Sequence, residues 1–364
     1  MPDLTSAAAT GLRTGPGRGP AGVPSAIGLT PILSARYGQT ELELIRAAAP
    51  GSRIVTISLE GLADAALEDV EVILRGPLPA GVFDRLLARC PNLRWVHSAT
   101  AGVERVLTPA ARERGLIITN ARGVFSRPIA EYVLLMILAV ARRLPQLLEL
   151  QRERTWQPLP AVELRDVTVG IVGLGSIGQA VASLATAFGC RIIATRRHAG
   201  SAPSAGPGAE SEADDPSHPL PTPRIERILP PERLSELLAE SDFVVLALPL
   251  TADTTDLFDA HTLGQMKPGA WLINVARGGL VDERALVRAL REGPLGGAVL
   301  DAFRDEPLAP DSPLYGLTNC LITPHTSWSS GRVVLRSVEL FCENLRLYRA
   351  GQPLRNVVDP TLGY

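Results

Sequence analysis

Short apolar runs of strand length alternate with amphipathic stretches along most of the chain. Over residues 30–127 the runs 53–58, 70–74, 93–97 and 116–119 have strand character, and 40–49 and 80–89 between them have helical spacing. That alternation predicts an α/β unit with parallel strands. A long helix is expected at about 129–150. Beyond it, a strand at 168–172, a glycine turn, a helix at 177–188 and a strand at 191–194 make a βαβ unit. The rhythm breaks at 198–223, where Pro, Ser, Gly and mixed acids predict a flexible surface insertion. It resumes with a helix at 231–240, strands at 243–247 and 270–274, a helix at 283–292, and strands at 297–300 and 320–323. A final helix, 329–349, can be assigned to neither lobe by periodicity alone. No fixed repeat is present, which argues against a solenoid or propeller.

The chain has 364 residues, enough for two domains of ordinary size. Its formal charge of -2 offers no broad field for nucleic acid or an anionic membrane. Lys267 is the only lysine, so the positive charge is almost all arginine. Cys90, Cys190, Cys320 and Cys342 form no CxxC pair, which suggests neither a zinc ribbon nor a disulfide framework and fits a reducing, cytoplasmic setting. Residues 1–29 lack the apolar core of a signal peptide and are expected to be a disordered tail. The most apolar helical run, 129–140, is too short for a membrane span. His97, His198, His218 and His261 show no metal-ligand spacing, and no metal site is expected.

Candidate chemistry begins at Gly173-Leu-Gly175-Ser176-Ile177-Gly178, which follows an apolar strand and opens a helix. In that context Gly173 permits the tight turn, Gly175 lets the backbone approach a pyrophosphate, and Gly178 allows close helix–strand packing. The helix N-terminus offers unpaired N–H groups to the phosphates. A cofactor site selective for NAD usually places an acid some 20 positions on, at the next strand end, to hold the ribose 2′-OH. This chain has Thr195-Arg196-Arg197 there. A carboxylate repels a 2′-phosphate whereas guanidiniums bind it, so NADP is favoured over NAD.

Three later strand ends carry ionisable groups. Arg277 lies in Asn274-Val-Ala-Arg277-Gly-Gly, Glu306 in Asp301-Ala-Phe-Arg-Asp-Glu306-Pro, and His325 in Thr323-Pro-His325. Ligands bind at the carboxyl edge of open parallel sheets. Arg277 can clamp a carboxylate and polarise a carbonyl, and His325 can donate a proton to a developing alkoxide. A carboxylate such as Glu306 beside the imidazole favours its charged form.

With these motifs in order, the chain resembles the D-isomer-specific 2-hydroxyacid dehydrogenase family over roughly residues 32–353. The resemblance implies a Rossmann-type doubly wound cofactor domain, 128–326, inserted into a discontinuous flavodoxin-like α/β substrate domain, 30–127 with 327–364. It implies Arg277, Glu306 and His325 as the catalytic set. It also implies a substrate carboxylate held by Arg277 and by the loop at Thr100, Ala101 and Gly102. Cofactor contacts are expected at Gly173, Gly175, Ser176, Ile177, Gly178, Arg196 and Arg197, at Leu248, Pro249 and Thr254, and at Val275, Ala276, Arg277, Asp301 and His325. A small 2-oxo acid, glyoxylate or hydroxypyruvate in type, is the expected substrate, and a homodimer through the cofactor domains the expected assembly. Neither nucleic acid nor membrane is an expected partner. Rival readings are a corepressor-like NAD(H)-binding protein and a phosphite-type dehydrogenase. Glu104 in place of the usual aspartate, Arg196 in place of the cofactor-selecting acid, and the insertion at 198–223 are departures from the family pattern.

Overall fold

The computed structural model describes residues 22–32, 37–197 and 219–360. These fall into two units, one within Met1–Ala121 and Val334–Tyr364 and the other Arg122–Val333.

The first unit opens with β1 (Ala26–Leu29), followed by α1 (Gln39–Ala48), β2 (Arg53–Thr56), β3 (Val70–Arg75), α2 (Ala80–Arg89), β4 (Trp95–Ser98), α3 (Pro109–Glu113) and β5 (Ile117–Asn120). All strands are parallel in the order β2-β1-β3-β4-β5, the flavodoxin-like arrangement. β1 corrects the expected tail: residues 26–29 are fully buried in a central strand, and only 1–21 of that stretch lie outside the described residues. The run Ala-Ile-Gly-Leu is too short to stand out among Gly, Pro and Ser, yet between β2 and β3 it is ideal. A Cβ on Gly28 would sit 2.9 Å from Ile57 Cδ1, so the glycine allows the core to close over the strand.

The second unit starts with α4 (Ser126–Ala141) and α5 (Leu144–Arg152), where the sequence pattern predicts one long helix. Pro145 explains the break. It has no N–H for the Ala141 carbonyl, which instead accepts from Val162 N–H at 3.0 Å, and Arg143 turns the chain at φ 58°. Then follow β6 (Thr168–Val172), α6 (Ser176–Ala187), β7 (Arg191–Thr195), β8 (Arg227–Leu229), α7 (Leu234–Glu240), β9 (Phe243–Leu246), α8 (Ala260–Gly264), β10 (Trp271–Asn274), α9 (Glu283–Glu292), β11 (Gly297–Leu300) and β12 (Cys320–Ile322). Most of the expected insertion, 198–218, lies outside the described residues; 219–223 carry no regular structure. The parallel sheet runs β12-β11-β10-β9-β6-β7-β8, a doubly wound order whose switch point falls between β6 and β9. α4 packs along α6, so the whole of α4 belongs to this unit and the boundary lies several residues before 128.

The last helix, α10 (Val333–Arg349), begins later than its apolar pattern suggests and returns the chain to the first unit. Phe341 and Tyr348 pack on Trp95 of β4 with ring centroids 5.3 and 5.4 Å apart. The backbone beyond it bonds to β5, with Val358 N–H donating to Ile118 O at 2.9 Å.

Candidate active site

The glycine turn after β6 has the geometry its spacing predicts. Gly173 sits at φ +100°, and a Cβ there would lie 2.7 Å from the Ala247 carbonyl oxygen at the end of β9. A Cβ on Gly178 would lie 2.2 Å from Gly173 O, so only glycine lets α6 start this close to its strand. At Gly175 no atom lies within 4 Å of a Cβ position, leaving the backbone open to approach. Ser176 and Ile177 form the first turn of α6, whose N–H groups have no side-chain cap.

At the end of β7, Thr195 accepts Gly173 N–H on its hydroxyl at 3.3 Å and Leu174 N–H on its carbonyl at 3.1 Å. The turn is thereby tied to the start of Arg196-Arg197. Arg196 is half-buried, and its Nη1 is buried with no hydrogen-bond partner among the described residues, whereas Arg197 is exposed. The loop after β9 holds itself together: the Thr254 hydroxyl donates to Pro249 O at 2.8 Å and accepts Thr251 N–H at 2.8 Å, with Leu248 against Gly173.

At the end of β10, buried Asn274 accepts Ala276 N–H at 3.1 Å and donates to Arg277 O at 3.0 Å, bending the chain so that Val275 and Ala276 are buried. Arg277 Nη1 donates to Ala276 O at 2.9 Å. A Cβ on Gly278 would fall 1.9 Å from the Phe303 carbonyl carbon, so the Arg277 turn rests directly on the backbone leading to Glu306. Glu306 accepts Phe303 N–H at 3.0 Å and holds His325 Nδ1 at 3.0 and 2.8 Å with its two oxygens. His325 is partly exposed, with φ +49°.

Asp301, at the end of β11, is 1% exposed. Its carboxylate accepts the Thr323 hydroxyl at 2.6 Å, Thr326 N–H at 2.8 Å and Ser327 N–H at 2.9 Å. Thr323 also meets the Tyr132 hydroxyl of α4 at 2.6 Å. Burial, with the Asp301 charge adding to it against the Thr323 hydrogen bond, pushes the Tyr132 phenol up to about 12. Neither Tyr132 nor Thr323 was singled out from the sequence for this role. Thr323 could have been found, two residues before His325 at a strand end, but a contact spanning 191 residues leaves no local trace.

In the first unit, Thr100, Ala101 and Gly102 form a loop after β4 whose carbonyls are all engaged. Ala121 N–H bonds Thr100 O at 3.2 Å, Asn120 Nδ2 bonds Ala101 O at 2.8 Å, and the Thr100 hydroxyl bonds Gly102 O at 2.8 Å. Among the described residues, the Ala101 and Gly102 N–H groups meet no acceptor. No described helix is long and apolar enough to cross a membrane, and no described cluster of His, Cys, Asp or Glu could hold a metal.

A doubly wound parallel sheet with this glycine turn, and an arginine, a glutamate–histidine pair and a buried aspartate at its later strand ends, defines a nicotinamide-type oxidoreductase fold. Residues 134–327 match the family model described as D-isomer specific 2-hydroxyacid dehydrogenase, NAD binding domain. The chain is 34% identical to a glyoxylate reductase of Korarchaeum cryptofilum over 88% of its own length and 90% of that protein's. It belongs to the D-isomer specific 2-hydroxyacid dehydrogenases. Among solved structures, a family member from Xanthobacter autotrophicus in complex with NADPH and MES shares 31% identity at a TM-score of 0.78, covering 94% of this chain and all of that one. An NADPH-dependent glyoxylate/hydroxypyruvate reductase from Sinorhizobium meliloti, in complex with NADP and sulfate, shares 27% identity at 0.74, covering 93% and 100%.

Proposed function

We propose that the protein is a cytoplasmic NADPH-preferring reductase of small 2-oxo acids, glyoxylate or hydroxypyruvate in type, giving the 2-hydroxy acid, in its D form where C2 becomes a stereocentre. The observation that carries this is the Glu306–His325 pair beside the Arg277 turn, on the sheet edge that also bears the dinucleotide turn. A bound nicotinamide supplies the hydride. The rest falls to the chain. Glu306, an acceptor when ionised, takes the hydrogen on Nδ1 of His325 and so aims Nε2, which holds the proton destined for the carbonyl oxygen. Arg277 binds the carboxylate and draws electron density from the 2-oxo group, and the Ala101 and Gly102 N–H groups of the other unit are assigned to substrate binding.

The glycine turn and first turn of α6 fit a pyrophosphate, and the buried Nη1 of Arg196, without a partner among the described residues, fits a 2′-phosphate. Bound NADP(H) in two similar structures supports the same preference. Leu248, Pro249, Thr254, Val275, Ala276 and Asp301 are assigned to the remaining cofactor contacts. The four cysteines are unbridged, in keeping with a reducing compartment. Exposed Leu144, Leu147 and Leu148 on α5 and a fully exposed Trp156 fit a homodimer formed through the cofactor unit. The ligand assigned to the site is a small acid, not nucleic acid.

The deciding experiment is turnover of glyoxylate, hydroxypyruvate, pyruvate and bulkier 2-oxo acids with NADPH and with NADH. The highest kcat/KM is expected for a two- or three-carbon acid with NADPH. Nucleotide binding without turnover of any acid would overturn the assignment.

A further inference from the structure

The hydroxyl of Tyr132 lies in α4, 2.6 Å from Thr323 Oγ1. The direction of that bond follows from its neighbour. Thr323 Oγ1 donates to Asp301 Oδ1 at 2.6 Å, because an ionised carboxylate only accepts. Its single proton is then used, so the Tyr132 hydroxyl is the donor to Thr323. A phenol held well above neutral pH remains protonated and able to donate.

The chain of bonds ends on the backbone around His325. Asp301 grips Thr326 N–H at 2.8 Å and Ser327 N–H at 2.9 Å, His325 N–H bonds Thr323 O at 3.0 Å, and Trp328 Nε1 donates to His325 O at 2.7 Å. His325 itself sits at φ +49°, a left-handed conformation uncommon for any residue with a side chain. From a buried position, where a carboxylate needs each of its donors, Asp301 fixes the main chain on both sides of His325 through the Thr323 hydroxyl and the Thr326 and Ser327 N–H groups. Hydrogen bonds in series at such a site strengthen one another.

We propose that Tyr132 is a positioning residue for the reaction, acting through Thr323 and Asp301 on the main chain that aims His325. Tyr132 touches no reacting atom in this scheme. The inference rests on His325 being the proton donor, and His325→Ala is therefore the control that fails separately: activity retained in that variant removes the premise, not the hydrogen-bond chain.

The test is steady-state and single-turnover kinetics of glyoxylate reduction with NADPH, alongside the NADPH Kd and the melting temperature. Tyr132→Phe keeps the ring and its apolar contacts and removes only the donor. It should lower kcat about tenfold, since small misplacement of an acid costs rate steeply, while the KM and Kd for NADPH stay within about twofold. Thr323→Val should lose at least as much, Thr323→Ser should return most of the loss, and Tyr132→Phe with Thr323→Val should be no slower than Thr323→Val alone, because one chain is cut in both. A Tyr132→Phe enzyme with unchanged kcat would overturn the proposal. So would one whose melting temperature and NADPH affinity fall while kcat holds, which is the signature of packing alone. Should Thr323→Val fold poorly, Thr323→Ser and Tyr132→Phe still give opposite expectations for kcat.

Discussion

Both carboxylate oxygens of Glu306 lie within hydrogen-bonding distance of Nδ1 of His325, at 3.0 and 2.8 Å, and one of them also takes Phe303 N–H at 3.0 Å. The glutamate is thus fixed by its own loop before it fixes the imidazole. Because both side chains are more than a third exposed, the pair's value lies in orientation and tautomer more than in folding energy. Glu306→Gln should reduce kcat by about 100-fold, the low end of what a positioned general acid contributes, since His325 itself remains. NADPH KM should change little, and a variant with wild-type kcat would remove Glu306 from the mechanism.

Gly278 tests whether the Arg277 turn must rest on the Phe303–Arg304 peptide. An alanine methyl would enter 1.9 Å from the Phe303 carbonyl carbon, and backbone cannot swing aside as a side-chain tip can. Gly278→Ala should cost about 1–3 kcal/mol in denaturant unfolding. It should also lower kcat/KM more than tenfold, a loss that shifted strand-end residues make reasonable. Unchanged unfolding and turnover together would contradict the contact.

The proposed NADPH preference assigns cofactor choice to Arg196. Its buried Nη1 lacks a partner among the described residues, so Arg196→Asp removes a candidate phosphate ligand and adds a like charge. The ratio of kcat/KM for NADPH over NADH should fall by about 10- to 100-fold, as expected from losing a charge-assisted contact. Equal ratios in the two proteins would transfer the selectivity elsewhere.

His97 carries a prediction about acid stability. It is fully buried on β4, its Nδ1 lies 2.7 Å from Thr119 Oγ1, and its Nε2 has no partner among the described residues. Burial holds the imidazole down at about 3, from an ordinary 6.5. Unfolded chains take up a proton below about 6.5 that the native state refuses, so this stability is intact above that pH and is lost as pH falls toward 3. The slope is about 1.4 kcal/mol per pH unit. Urea unfolding of wild type and His97→Leu at pH 7.5 and 5 should show a smaller pH difference in the variant. Identical differences would mean that His97 does not contribute.

The apolar side chains Leu144, Leu147 and Leu148 recur at i, i+3 and i+4 on α5, and no residue of that helix is buried. Trp156 beyond it is 100% exposed. Light scattering should give a dimer for the wild type and a smaller species for Leu147→Asp/Leu148→Asp. A monomeric wild type would refute the assembly.

By itself the sequence determined the alternation of strands and helices, the glycine turn, and which strand ends carry Arg277, Glu306 and His325. Each of these is local: a strand needs its apolar run, a tight turn its glycine, and a parallel sheet sends its strand ends to one edge. The spans 283–292 and 297–300 were legible to the residue because Asp282 caps the one and turn residues bound the other. Where neighbours in space decide, the pattern fell short. β1 needed β2 and β3 on either side to make four small apolar residues a strand, and α4 ended where Pro145 could not supply a donor. The bonds from Tyr132 through Thr323 to Asp301 join three residues that no spacing relates, because α4, β11 and β12 meet only once the sheet is assembled. Tertiary structure alone decided how His325 is held, since the N–H groups that follow it are taken by Asp301 and its Nδ1 by Glu306, both from the end of another strand.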